Sequence, residues 1–71
     1  MIKQGTIFYD RTTKRYDVHF DTGGKYGGLH CGDTLDVLIN GKWVPARIEM
    51  AADWYLVGCR DVPLDGLRVR I

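Results

Sequence analysis

The pair Asn40-Gly41 constrains this chain more than any other two residues. It separates two β-rich runs, DTLDVLI (33–39) and KWVPARIEM (42–50). A two-residue Asn-Gly connection calls for a type I′ hairpin, the turn whose twist matches that of the strands it joins. Counting outward sets the register: Ile39 opposes Lys42, Leu38 opposes Trp43, Val37 opposes Val44, Asp36 opposes Pro45, Leu35 opposes Ala46. Leu35, Val37, Val44, Ala46 and Ile48 then share one face, the core side. Trp43 lies on the other face with Leu38, either covering a second small core or exposed for binding. Asp36 and Pro45 fall at a non-hydrogen-bonded pair, so the missing proline N–H points away from the partner strand. This predicts a sheet edge or a strong bend near Pro45.

The rest of the chain repeats the theme of short alternating runs broken by turn residues. GTIFY (5–9) precedes the polar turn DRTTK (10–14). YDVHF (16–20) alternates Tyr16, Val18 and Phe20 against Asp17 and His19. DTGG (21–24) turns the chain, and KYGGL (25–29) reads as a third, bent strand. WYLVGC (54–59) is a further strand, RDVPLDG (60–66) a turn, and LRVRI (67–71) the closing strand, with Leu67, Val69 and Ile71 inward. EMAADW (49–54) is the one place where a helical turn is conceivable. The expected architecture is all-β: a small SH3-like barrel of five to six short antiparallel strands, one domain over 1–71. A barrel removes exposed edges.

A chain of 71 residues buries only about 60% of its unfolded surface. Its large apolar residues are therefore needed for the core. Ten Lys and Arg against nine Asp and Glu give a net charge of +1, which argues against a strongly electrostatic nucleic-acid binder. Two cysteines, Cys31 and Cys59, are too few for a disulfide-stapled secreted domain. No leader pattern opens the chain, and no apolar run approaches the about 18 residues of a membrane span. The expectation is a cytoplasmic protein with reduced thiols and no membrane association.

The segment DTGGKYGGLHCGD (21–33) concentrates candidate chemistry. Gly23, Gly24, Gly27 and Gly28 beside Lys25 could form an anion nest of backbone N–H groups. A P-loop would need Ser or Thr after the lysine and a helix beyond it, and neither is present. His19, His30, Cys31 and Cys59 are metal-ligand types without metal-ligand spacing, so no metal and no cofactor is expected. Asp17, His19 and Asp21 line one face of a strand as carboxylate, imidazole, carboxylate; a solvated face pairing with arginines explains them more simply than catalysis. No catalytic residue is assigned, and an enzyme is not expected.

A recognition surface remains. Tyr26, Trp43 and Tyr55, with Lys25, His30 and Arg47, are the candidate binding residues, since aromatic and arginine side chains anchor interfaces. The order GD-x-L-x-V, W-x-x-A-R-I, P-L-D-G-L-R-V over 32–71 resembles SH3-like barrels. The whole pattern, from GTIFYD through RYDVHFDTGGKYGGLHCGD to LDGLRVRI, also resembles a family of short domains of unknown function in Firmicutes and their mobile elements and phages. That resemblance carries no activity to transfer. It implies a bacterial or phage setting and, with it, counter-defence. The expected function is non-enzymatic binding to a protein partner, further copies of this chain included. The alternative is a nucleotide- or nucleic-acid-binding barrel using the 22–28 glycine loop, the aromatics and the arginines.

Overall fold

The structure, a computed structural model, describes residues 2–71. Six antiparallel strands form one sheet: β1 (Gln4–Asp10), β2 (Arg15–Phe20), β3 (Thr34–Ile39), β4 (Lys42–Met50), β5 (Trp54–Val57) and β6 (Arg68–Arg70). Their order is β2-β1-β6-β3-β4-β5. The final strand is thus inserted between the first hairpin and the central one, pairing Gly5 with Val69 on one side and Val37 with Val69 on the other. That insertion joins two hairpins into one sheet.

The β3–β4 hairpin has the register that the Asn-Gly pair dictates, from Ile39 opposite Lys42 to Thr34 opposite Arg47. Asn40 and Gly41 adopt φ of 51° and 79°, the positive values that a type I′ turn requires. Leu35, Val37, Ala46 and Ile48 are buried, and Val44 packs half-buried against them. Beside β4, β5 pairs only with Arg47–Met50. The stretch before Arg47 therefore has no strand on that side, and Pro45 sits at an open edge where its lost donor costs nothing.

One face of the sheet closes over a core of Ile7, Val18, Leu29, Val37, Ile48, Leu56 and Val69, each 0–1% exposed. The sheet curls until its ends meet without a ladder between them. Trp54 of β5 donates its indole N–H to the Lys14 carbonyl in the β1–β2 turn, at 3.3 Å, and Arg15 lies over the Trp54 ring. The result is a barrel-like sheet that is not closed. β1 and β2 approach so closely at Gly5 that a Cβ there would stand 2.4 Å from the His19 carbonyl oxygen.

Four local expectations change. Residues 25–29 form no strand beyond one bridge, Lys25 with His19. They run beside β2 as a strap instead. Tyr26 and Leu29 donate their N–H groups to the carbonyls of Val18 and Tyr16, and Leu29 is driven into the core. Asp17 is not on a solvated face: it is 5% exposed, because the strap covers it. Residues 49–54 hold no helical turn, since β4 runs to Met50 and a short bend leads to Trp54. Cys59 does not continue β5 outward. Its N–H turns back to the Leu56 carbonyl, and the side chain is buried in the core. Cys31 is exposed, and the two thiols are not bridged. Among the described residues, no helix is long and apolar enough to cross a membrane.

Candidate functional site

The outer face of β3, β4 and β6 is shaped by strand alternation. Thr34 and Asp36 project outward from β3, Pro45 and Arg47 from β4, and Arg70 from β6. Cross-strand pairing places Asp36 beside both Pro45 and Arg70. With Ile2, Ala46, Val57 and Ile71, these residues line a groove of about 570 Å³. Val57 reaches the groove because β5 pairs with Arg47. Its floor and walls are mainly aliphatic, and it is wide open to solvent.

Charge is placed around this groove in pairs. Arg70 donates through Nε to Asp36 Oδ2 at 2.8 Å, with both side chains about one-third exposed. The same guanidinium lies 4.5 Å from the centroid of the Trp43 ring. Trp43 is therefore half-buried beneath an arginine and opposite Leu38. Trp43 is thus neither part of the core nor fully exposed, and it meets the groove only through Arg70. Arg47 donates through Nε to Glu49 at 2.8 Å, and its side chain is half-exposed. Tyr55 sits two pairs further along β4–β5, opposite Glu49, with Arg60 4.4 Å above its ring.

The other candidates lie elsewhere. Lys25, Tyr26 and His30 belong to the strap along β2, on the far side of β1 from the groove. Tyr26 is 42% exposed. The strap is held from beneath by Asp17, whose Oδ1 accepts the N–H groups of Val18 at 2.7 Å and Gly27 at 3.0 Å. Gly27 has a φ of 110°, which a side chain would strain. Arg15 donates to the Leu29 carbonyl at 3.4 Å. Gly23 and Gly24 close the turn, with the Gly23 N–H given to the Phe20 carbonyl and the Gly24 carbonyl taking the Phe20 N–H. Two of the four candidate anion-loop glycines, Gly23 and Gly27, therefore already spend their N–H groups inside the protein. Among the described residues, no three His, Cys, Asp or Glu side chains gather as a metal site.

Two further arrangements set the electrostatics of the outer face. Arg68 forms a forked ion pair with Asp21 and also donates to Gln4 Oε1 at 3.3 Å. Arg68's hydrogen bonds hold the Asp21 carboxyl below its usual range, and Asp21 raises the arginine in turn. At the β1–β2 turn, Asp10 Oδ1 accepts the hydroxyl and the N–H of Thr12, at 2.6 and 2.9 Å. These bonds lower the Asp10 pKa.

Sequence reasoning placed Arg47 and Trp43 on this face and named Tyr55 as a binding residue without giving it a face. It missed Asp36, Val57, Ile71 and the central position of Arg70. Alternation sends Arg70 outward, but only the insertion of β6 beside β3 makes it the residue that joins Trp43 to Asp36.

The sequence pattern of DUF5348, a domain of unknown function, matches residues 5–71. The chain belongs to this family. A crystal structure of a protein from Ruminococcus gnavus, a structural genomics target designated UgR76, is similar to this DUF5348 domain. It shares 58% identity and superposes with a TM-score of 0.90, covering 97% of this chain and 100% of its own. Among curated proteins, none matches. Neither the family's description nor the neighbour's name carries an activity, ligand or partner.

Proposed function

We propose that this DUF5348 domain is a non-enzymatic binding module, acting within the cytoplasm, that holds an extended segment of a partner protein in its outer groove. The observation that carries this reading is the groove itself. Pro45, Val57, Ile2 and Ile71 offer aliphatic surface, while Arg70 and Arg47 supply fixed donors at its margins. A volume of about 570 Å³ lies in the range of ligand sites, and a wide-open trough suits a peptide better than an enclosed small molecule. Arginine, present at its margin, is among the residue types that dominate binding energy at interfaces, and Trp43 lies behind Arg70.

The nucleic-acid reading has less support. Arg47, Arg68 and Arg70 are each matched by a carboxylate of the chain. The rings of Trp43, Trp54 and Tyr55 each carry an arginine of the chain. Net positive potential and free ring faces, the two requirements for gripping a strand, are both reduced.

A second copy of the chain counts as a protein partner. Strand-to-strand pairing at the β4 edge is disfavoured, since Pro45 has no N–H to give. A narrower form of the reading, inhibition of a bacterial defence protein, is supported by the resemblance to mobile-element domains. Its test is phage plating on a defended host with and without the gene expressed.

The groove is tested by affinity capture from the native host with wild-type protein and Val57→Asp, matched for thermal stability. A partner retained by the first and lost by the second supports the reading; equal retention by both overturns it.

A further inference from the structure

A second groove lies on the same outer face, nearer the β2 edge, and is separate from the one assigned to a protein partner. It encloses about 360 Å³ and is lined by Thr6, Phe8, His19 and Lys25. The pairing pattern explains how these residues meet. Lys25 is bridged to His19, His19 opposes Thr6 across β1–β2, and Thr6 opposes Arg68 across β1–β6. Directly opposed residues share a face and lie about 5 Å apart. Lys25, His19, Thr6 and Arg68 therefore form one row, about 15 Å long, and Phe8 stands next to Thr6 on the same face of β1.

Every side chain in the row can donate a hydrogen bond. Lys25 brings an ammonium and Arg68 a guanidinium. The imidazole of His19 has an N–H in either protonation state, and Thr6 has a hydroxyl. No carboxylate belongs to the row. The acids nearby are engaged elsewhere: Asp17 is buried beneath the strap with Val18 and Gly27 on its Oδ1, and Asp10 is held by Thr12. Asp21 competes through its ion pair with Arg68 and also faces His19, and Asp10 attracts Lys25 from the β1–β2 turn. Lys25 rests over the Phe8 ring at 5.6 Å, so its charge is stationed above the groove.

We propose that this row binds a phosphate group, with Lys25, His19 and Thr6 as donors and Arg68 recruited from Asp21 when the anion arrives. The site is made of side chains on the sheet, not of the backbone amides of the glycine turn. Its ligand is defined by a compact, multiply charged oxyanion, whether free or carried on a small molecule or side chain.

The test is a titration of the isotope-labelled protein with inorganic phosphate, phosphoserine and AMP, read by amide and imidazole NMR shifts at constant ionic strength. Sodium chloride is the control. Saturable shifts centred on Thr6, His19 and Lys25, absent with chloride, are expected with at least inorganic phosphate. Lys25→Ala should weaken that affinity about fivefold, by loss of a charge-assisted contact. Asp21→Asn should tighten it about threefold, by freeing Arg68. Tighter binding of AMP or phosphoserine would support the same site and identify what carries the phosphate. Shifts that grow linearly, match those from chloride, or persist unchanged in Lys25→Ala would overturn the proposal.

Discussion

The β3–β4 hairpin and the strap of residues 21–33 are both glycine-dependent reversals, yet they are held in opposite ways. The hairpin is held by its neighbours in sequence. Asn40-Gly41 supplies the turn, alternation supplies the buried face, and six consecutive pairs supply the ladder. The strap is held from a distance. Asp17 grips Gly27, Arg15 grips the Leu29 carbonyl, and the core accepts the Leu29 side chain. A strand propagates its own regularity, whereas a strap needs each anchor placed separately by another element.

That contrast can be broken by mutation, and the largest effect should fall on the strap. Leu29 is fully buried, so Leu29→Ala should cost about 2–5 kcal/mol through lost burial and a cavity, measured by urea unfolding. Gly5→Ala should follow, at about 1–3 kcal/mol, because its Cβ meets the His19 backbone oxygen and the β1–β2 spacing must change. Asp17→Ala should cost about 2 kcal/mol by leaving the Val18 and Gly27 amides without their acceptor. Asp17→Asn retains an oxygen there and should cost less. Hydrogen exchange sharpens the point, because Gly27 should lose protection in Asp17→Ala while Val37 and Val44 keep theirs. In the hairpin, Gly41→Ala should cost about 1 kcal/mol, since φ is +79° and an L-residue resists that region.

The smallest predicted effect is on pH dependence. Asp10 and Asp21 have lowered pKa values in the folded protein, from Thr12 and Arg68 respectively. Their stabilisation is thus fully present above the unfolded value of about 3.9 and is lost as pH falls through the folded values. An Asp10→Asn, Asp21→Asn double variant should show a shallower loss of stability between neutral and strongly acidic pH. An acid limb as steep as that of the wild type would remove these two groups as its cause.

The same contrast explains what the amino-acid sequence conveyed. The hairpin register, the core residues of β3 and β4, the open edge at Pro45 and the outward arginines of β6 all follow from local rules of turn and period. The strap reads as a bent strand because a glycine pair can mark a bulge, and nothing within it announces that Asp17, eight to twelve residues earlier, is its anchor. Asp17 looked solvated for the same reason: the covering segment is not its sequence neighbour. Cys59 was misplaced because Gly58 ends the alternation one residue before it. The candidate sites divide in this way too. Trp43 and Arg47 could be put on the outer face by counting from Asn40-Gly41. The groove between them and Arg70 depends on β6 docking against β3, a pairing between residues 34 positions apart.

The central claim is that the groove, not the strap, is where a protein partner sits. An amide shift map with the captured partner tests it directly. Perturbations should concentrate on Thr34, Asp36, Ala46, Arg47, Val57 and Arg70, with Lys25 to His30 unmoved. Perturbations gathered on Lys25, Tyr26 and His30, with the groove unmoved, would contradict it.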